Sequence, residues 1–173
     1  MIINNIYKER KAFTLIETIL YMSLFVAIFA ALFASLNIFY SNKIKNRTIL
    51  EVEQQGQIIS LIISQEIRNA QSIISPVIGV SADTLILEHF DILKSPLSFY
   101  LLDNKIMIDE NGNLFNLSNS NVVVNSLIFE NNSAVDGAQS ISFSFDISYD
   151  SNVSRNEYKY NKSFSSTVNL LKK

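Results

Sequence analysis

The chain has no cysteine, a single histidine, two prolines and only four glycines in 173 residues. Without cysteine there are no disulfides, no thiolate metal ligands and no thiol nucleophile, so an exported domain would be held by its core alone. The lone histidine, in Leu85-Ile86-Leu87-Glu88-His89-Phe90, has no second histidine or cysteine with which to build a triad or a zinc site. It reads as a surface or strand-edge residue. Four glycines hardly suffice for a Walker loop or a dinucleotide-binding turn, and neither pattern occurs. Basic charge is sparse too: the net charge is −2, with Lys and Arg scattered beyond position 47. Nothing in that balance gives nucleic acid a general hold, which leaves open only a local patch made by folding. The acidic loop Asp109-Glu110-Asn111-Gly112-Asn113 has oxygen ligands of the calcium type. Its glycine stands too early for an EF-hand loop, however, and Ser120 occupies the place of the bidentate Glu, so it reads as a hairpin turn. The sequence therefore assigns no catalytic residue, no metal ligand and no cofactor.

What the chain does have is one long apolar run within Lys11–Tyr40, KAFTLIETILYMSLFVAIFAALFASLNIFY. From Thr18 to Asn42 no side chain is charged. At about 1.5 Å per residue this stretch makes a helix of roughly 37 Å, enough to cross a hydrocarbon layer about 30 Å thick. Ala, Leu, Ile and Phe dominate and neither Gly nor Pro interrupts, so the stretch reads as a membrane helix. Glu17 lies one turn inside it. A carboxylate at the bilayer centre costs about 2.5–3.5 kcal/mol, less near an end, so such a residue calls for a partner or a purpose. No basic residue follows Glu17 inside the run. The nearest positive charge would be an α-amine at Phe13, if the chain were cut before that residue.

Lys11-Ala12-Phe13-Thr14-Leu15-Ile16-Glu17 resembles the cleavage and methylation motif of type IV prepilins and type II secretion pseudopilins. The resemblance implies removal of residues 1–12, a leader carrying Lys8, Arg10 and Lys11, by a prepilin peptidase acting between Ala12 and Phe13. It further implies N-methylation of Phe13, and a role for Glu17 in charge pairing during filament assembly. Ala12 departs from the glycine usual at that place. An ordinary signal peptide has an apolar core of about 7–15 residues and then a small-x-small site, whereas this run is longer and Ala31-Leu32-Phe33-Ala34 has no A-x-A pattern. An uncleaved anchor has no use for Glu17. Basic residues on both sides of the run leave orientation open by charge, and the resemblance implies a cytoplasmic N-terminus.

Beyond the membrane segment, at 13–42, an amphipathic continuation of the helix is expected over 43–75. Val52, Ile59, Ile63, Ile67, Ala70 and Ile74 fall on one side and Ser60, Ser64, Arg68 and Gln71 on the other, until Pro76 ends the pattern. Gly56 on the apolar side marks a bend or a close contact. From residue 76 to 173 the period becomes two. Ser140–Tyr149 alternates without error, and strands are expected at Thr84–Phe90, Leu97–Leu102, Lys105–Asp109, Leu114–Leu117 and Val122–Glu130. Glu157–Leu170 reads as two short strands or one that ends near an edge, because Lys162 and Ser166 interrupt its apolar alternation. Asp103-Asn104 and Asn111-Gly112 supply tight hairpin turns, while Asn131–Gln139 and Asp150–Asn156 read as surface loops.

The fold class expected is α+β: a long N-terminal helix, half membrane and half amphipathic, packed on an antiparallel β-sheet in the manner of pilins. Within that superfamily the pattern is most similar to minor pseudopilin J and to PilW-type minor pilins. This likeness implies a non-enzymatic structural subunit that helps initiate or cap a type IV pilus or a type II secretion pseudopilus. Its implied partners are the prepilin peptidase, the other minor and major pilins, the inner-membrane assembly platform and the lipid bilayer. The alternatives are a pilus-tip module whose two surface loops contact DNA, a surface or cargo, and a simple anchored β-domain.

Overall fold

The computed structural model describes residues 14–135, 137–151, 153 and 155–171. The expected leader and the Ala12–Phe13 junction lie outside the described residues. A helix α1 (Leu15–Asn69) opens the described chain, which divides into two units at Asn42 and Lys43.

In the first unit the helix is apolar and bare. An 18-residue window reaches a mean hydropathy of 2.4 with none of its residues buried, and Leu15 and Phe39 are 80% and 67% exposed. Within this segment the rings of Phe25 and Phe29 pack on one another, with centroids 4.5 Å apart. A core helix of a soluble domain has its apolar stripe buried, and no residue of this window is. By length and composition α1 could span a membrane.

In the second unit the helix buries Thr48, Val52, Gly56, Ile59, Ile63 and Ile67, at steps of three or four residues that place them along one stripe. The helix stops at Asn69, short of the expected position 75. Ala70–Ser75 is instead a strand, β1, paired antiparallel with β3 (Leu85–His89). Helical phase would have put Ile74 inside with Ala70. Strand pairing buries Ala70 to 1% and leaves Ile74 51% exposed, while Ser72 Oγ donates to Glu88 Oε2 at 2.7 Å. Partner strands thus override a helical periodicity that the sequence carries past residue 69.

The strands form two antiparallel sheets where one was expected. The first has the order β1-β3-β4-β5-β6, adding β4 (Leu97–Leu102), β5 (Lys105–Glu110) and β6 (Asn113–Asn116). The second has the order β2-β7-β8-β9, from β2 (Ser81–Ala82), β7 (Val122–Asn131), β8 (Ser140–Tyr149) and β9 (Asn161–Asn169). The meander breaks after β6 because Lys105 Nζ binds the carbonyls of Asn119 (2.8 Å) and Val122, while Ser118 Oγ accepts the Ile106 N–H at 3.1 Å. These bonds fold 117–121 back across β5. Asn104 then joins the sheets, its carbonyl accepting the Val124 N–H at 2.9 Å and its Nδ2 donating to the Val124 carbonyl at 3.2 Å.

Both hairpin turns form as the dipeptides require. Asp103 and Asn104 adopt φ of 49° and 59°, and Asn111 and Gly112 adopt 51° and 91°. β8 alternates as read, with Ile141, Phe143, Phe145 and Ile147 buried. They join the helix stripe, Leu85, Leu87, Leu97, Phe99, Ile106 and Phe129 in one core. Before β9 the chain makes a 3-10 turn at Asn156–Tyr158, so Glu157–Leu170 is one turn and one strand.

Candidate assembly site at the start of the helix

Thr14 precedes α1 and caps it. Its carbonyl accepts the Thr18 N–H at 3.2 Å, the first helical bond, and its Oγ1 accepts the Glu17 N–H at 3.4 Å. Glu17 is thereby at the third helical position of a Thr-x-x-Glu sequence, the arrangement of a capping box, where a carboxylate also meets the positive end of the helix dipole. One turn on, the Tyr21 hydroxyl donates to Glu17 Oε1 at 3.3 Å. So the carboxylate that stands out as an isolated charge in the sequence has two local reasons to be tolerated at this position. Tyr21 and Thr14 are the residues that sequence reasoning missed. The signal was there in the spacings of three and four about Glu17. Lys8, Arg10, Lys11, Ala12 and Phe13 lie outside the described residues.

The second unit spends its polar groups on ties between helix and sheets. Glu53 Oε1 accepts from Lys162 Nζ at 2.8 Å and from the Tyr160 hydroxyl at 3.0 Å. Lys162, which interrupts the apolar alternation of β9, thus meets the helix as a charge partner. These bonds hold the Glu53 carboxyl below the usual carboxylate range, the Lys162 bond foremost, and the same bond raises the Lys162 ammonium. Glu51 Oε1, two residues earlier, accepts from Asn119 Nδ2 at 2.6 Å and Asn121 Nδ2 at 3.3 Å.

His89 is engaged at both nitrogens. Nδ1 accepts the Asp91 N–H at 3.0 Å, and Nε2 lies 3.5 Å from Glu66 Oε2. Asp109 Oδ1 accepts the Gly112 N–H at 2.7 Å and Glu110 pairs with Lys94 at 3.2 Å, so the acidic loop spends its carboxylates on its own turn and flank. Asp146 sits between Ser126 (2.9 Å) and Ser163 on neighbouring strands, and those hydroxyls lower its pKa, Ser163 foremost. Among the described residues no three His, Asp or Glu side chains converge to hold a metal ion.

Of the two surface loops expected, Asn131–Gln139 begins inside the fold. Asn131 and Ser133 are buried, and Asn131 Nδ2 donates to the Pro76 carbonyl at 2.7 Å. Val135, by contrast, is 84% exposed. Beside the other loop lies an open cavity of about 580 Å³ lined by Tyr149, Val153, Tyr158, Lys159 and Tyr160, among others. Comparison of the chain with protein-family models, curated proteins and solved structures gave no match.

Proposed function

We propose that this chain is a minor pilin or pseudopilin: a structural subunit held in the inner membrane by α1, cut between Ala12 and Phe13, methylated at Phe13 and drawn into a filament. The observation that carries the reading is the first unit itself. A stretch of α1 with no charged side chain from Thr18 to Asn42 is long enough to cross a bilayer and has none of its apolar window buried, and the sequence Phe13-Thr14-Leu15-Ile16-Glu17 leads into it with Glu17 in the first helical turn. An apolar surface of this kind belongs in lipid or against other apolar helices, and the proposal has it pass from the first to the second.

In the filament, Glu17 neutralises the α-amine of a neighbouring subunit's first mature residue. Such a pair discriminates by the cost of its failure, since a subunit in the wrong register leaves two charges unpaired in an apolar setting. Thr14 and Tyr21 position the carboxylate before its partner arrives. The second unit supplies the exported α+β domain that contacts other minor and major pilins, and the assembly platform acts from the membrane.

The deciding experiment is the N-terminal mass of membrane-purified protein co-expressed with a prepilin peptidase. A terminus at Phe13 bearing one additional methyl group is expected. An intact Met1, or cleavage near Ala34, would overturn the proposal and return the chain to an anchored or secreted β-domain.

A further inference from the structure

We infer that the loop between β8 and β9 is a second membrane contact, one that docks on anionic phospholipid headgroups. The inference rests on the reading of α1 as a membrane span. Charge returns to the chain immediately after the apolar run, at Lys43, Lys45 and Arg47. Lys45 is three residues past Asn42, about 5 Å along a helix, within the headgroup layer that begins where the hydrocarbon ends.

Lys45 is also where the β8–β9 loop is fastened to the helix. Its ammonium donates to the carbonyls of Lys159 (2.7 Å) and Asn156 (3.4 Å) and lies 5.8 Å from the centre of the Tyr160 ring. Asn156 and Lys159 of the loop are thereby fastened to the helix at the level of Lys45. Two more cations come with the loop: Lys159, which is exposed, and Arg155, whose side chain is 58% exposed and pairs with Glu157 at 3.1 Å. With Lys43, Lys45 and Arg47 they make five positive charges against Glu157 and Asp150, while Lys162 is taken by Glu53 and Glu51 by two asparagines.

The surface carries tyrosines as well as charge. Tyr149 and Tyr158 stack with ring centroids 6.2 Å apart, and with Tyr160 they line the cavity of about 580 Å³, whose rim includes Lys159, Ser148 and Ser151. Tyrosine and lysine together suit the interface, where a ring rests at headgroup level and an ammonium meets phosphate. Near an anionic leaflet each cation contributes roughly fivefold in local affinity, so reversing two of them should abolish a preference built on this cluster.

The chain has no tryptophan, so one introduced indole reports alone. Full-length chain with Tyr158→Trp, or with Val153→Trp at the same cavity should the first variant fold poorly, is reconstituted into vesicles of phosphatidylcholine, or of phosphatidylcholine and phosphatidylglycerol in equal parts. Each set contains a headgroup-spin-labelled lipid. Quenching at least about twofold stronger in the anionic vesicles is expected, lost when Arg155→Glu and Lys159→Glu are added, and absent for Phe115→Trp on β6. Equal quenching in the two lipids, or quenching indifferent to the charge reversal, overturns the inference while leaving the membrane span standing. Failure of the chain to float with either vesicle overturns the span and this contact together.

Discussion

The ring of Phe164 on β9 occupies the space a side chain on Gly56 would need: a Cβ built there meets Cε2 of the ring at 2.1 Å. Glycine in mid-helix costs about 0.5–1 kcal/mol relative to alanine, so the position is held for the close approach it permits. Phe164 cannot easily retreat, because it stacks on Phe145 with centroids 5.3 Å apart. Gly56→Ala is therefore expected to destabilise the second unit by about 1–3 kcal/mol despite its better helix propensity. Urea titration checks it, and the double variant with Phe164→Ala should lose less than the sum of the single losses. Additive losses would mean that the ring is not what excludes the methyl group.

Glu53 and Lys162 tie the same two elements by charge and set a pH window. The depressed Glu53 carboxyl adds stability that is present above its ordinary value of 4.5 and is lost as pH falls through the lower folded value. The raised Lys162 ammonium acts in the opposite sense. Its contribution is complete below 10.5 and is lost as pH rises through the higher folded value. Tyr160, raised by burial first and by Glu53 next, adds to that alkaline limb from 10.0 upward. Thermal midpoints measured against pH should fall on both sides, and Glu53→Gln should flatten both limbs at once. Parallel profiles for the two proteins would show that the cluster does not couple to folding.

How far the sequence could be read follows from which signals are local. β8 was legible to the residue because Ile141 to Tyr149 alternate on a half-buried strand, and both tight turns were legible because Asp-Asn and Asn-Gly tolerate positive φ. The end of α1 was not. Ala70 and Ile74 fit the helical stripe as well as Ile63 and Ile67 do, and only the antiparallel pairing of β1 with β3, from Ala70 with His89 to Ser75 with Ile86, decides against it. The division into two sheets was hidden for the same reason, since it depends on Lys105, Asn104 and Ser118 reaching residues between 12 and 20 positions away. At the candidate site Glu17 was plain from its charge. The roles of Thr14 and Tyr21 lay in spacing that was available but overshadowed by the apolar run.

Asn131, the last residue of β7, acts as a core strut where the strand runs into its loop. Its Nδ2 donates to the Pro76 carbonyl, its Oδ1 accepts the Ser133 N–H at 3.0 Å, and its backbone bonds Gly79 and Val80. Asn131→Ala leaves two buried groups without partners, an expected loss of about 2–3 kcal/mol by urea denaturation. Asn131→Asp tests the geometry further. The carboxylate can still accept from Ser133 but faces the Pro76 carbonyl with oxygen, so it should fare no better than alanine. An aspartate variant of near-native stability would place the weight on the Ser133 bond alone.

Glu17 has two candidate roles that one substitution separates. As a capping residue it needs a side chain that can accept near the helix start, and glutamine meets that need as well as glutamate. As the partner of a neighbouring α-amine it needs a full negative charge, which glutamine lacks. Glu17→Gln is therefore expected to insert in the membrane and to be processed at Phe13 like the parent chain, yet to enter filaments poorly, read as the fraction recovered with sheared filaments relative to the membrane pool. Glu17→Ala should show the same assembly defect, while Thr14→Ala, which removes the cap and keeps the charge, should show a smaller one. Normal incorporation of Glu17→Gln would reduce Glu17 to a helix cap and remove charge pairing from the proposed function, whatever the N-terminal mass shows.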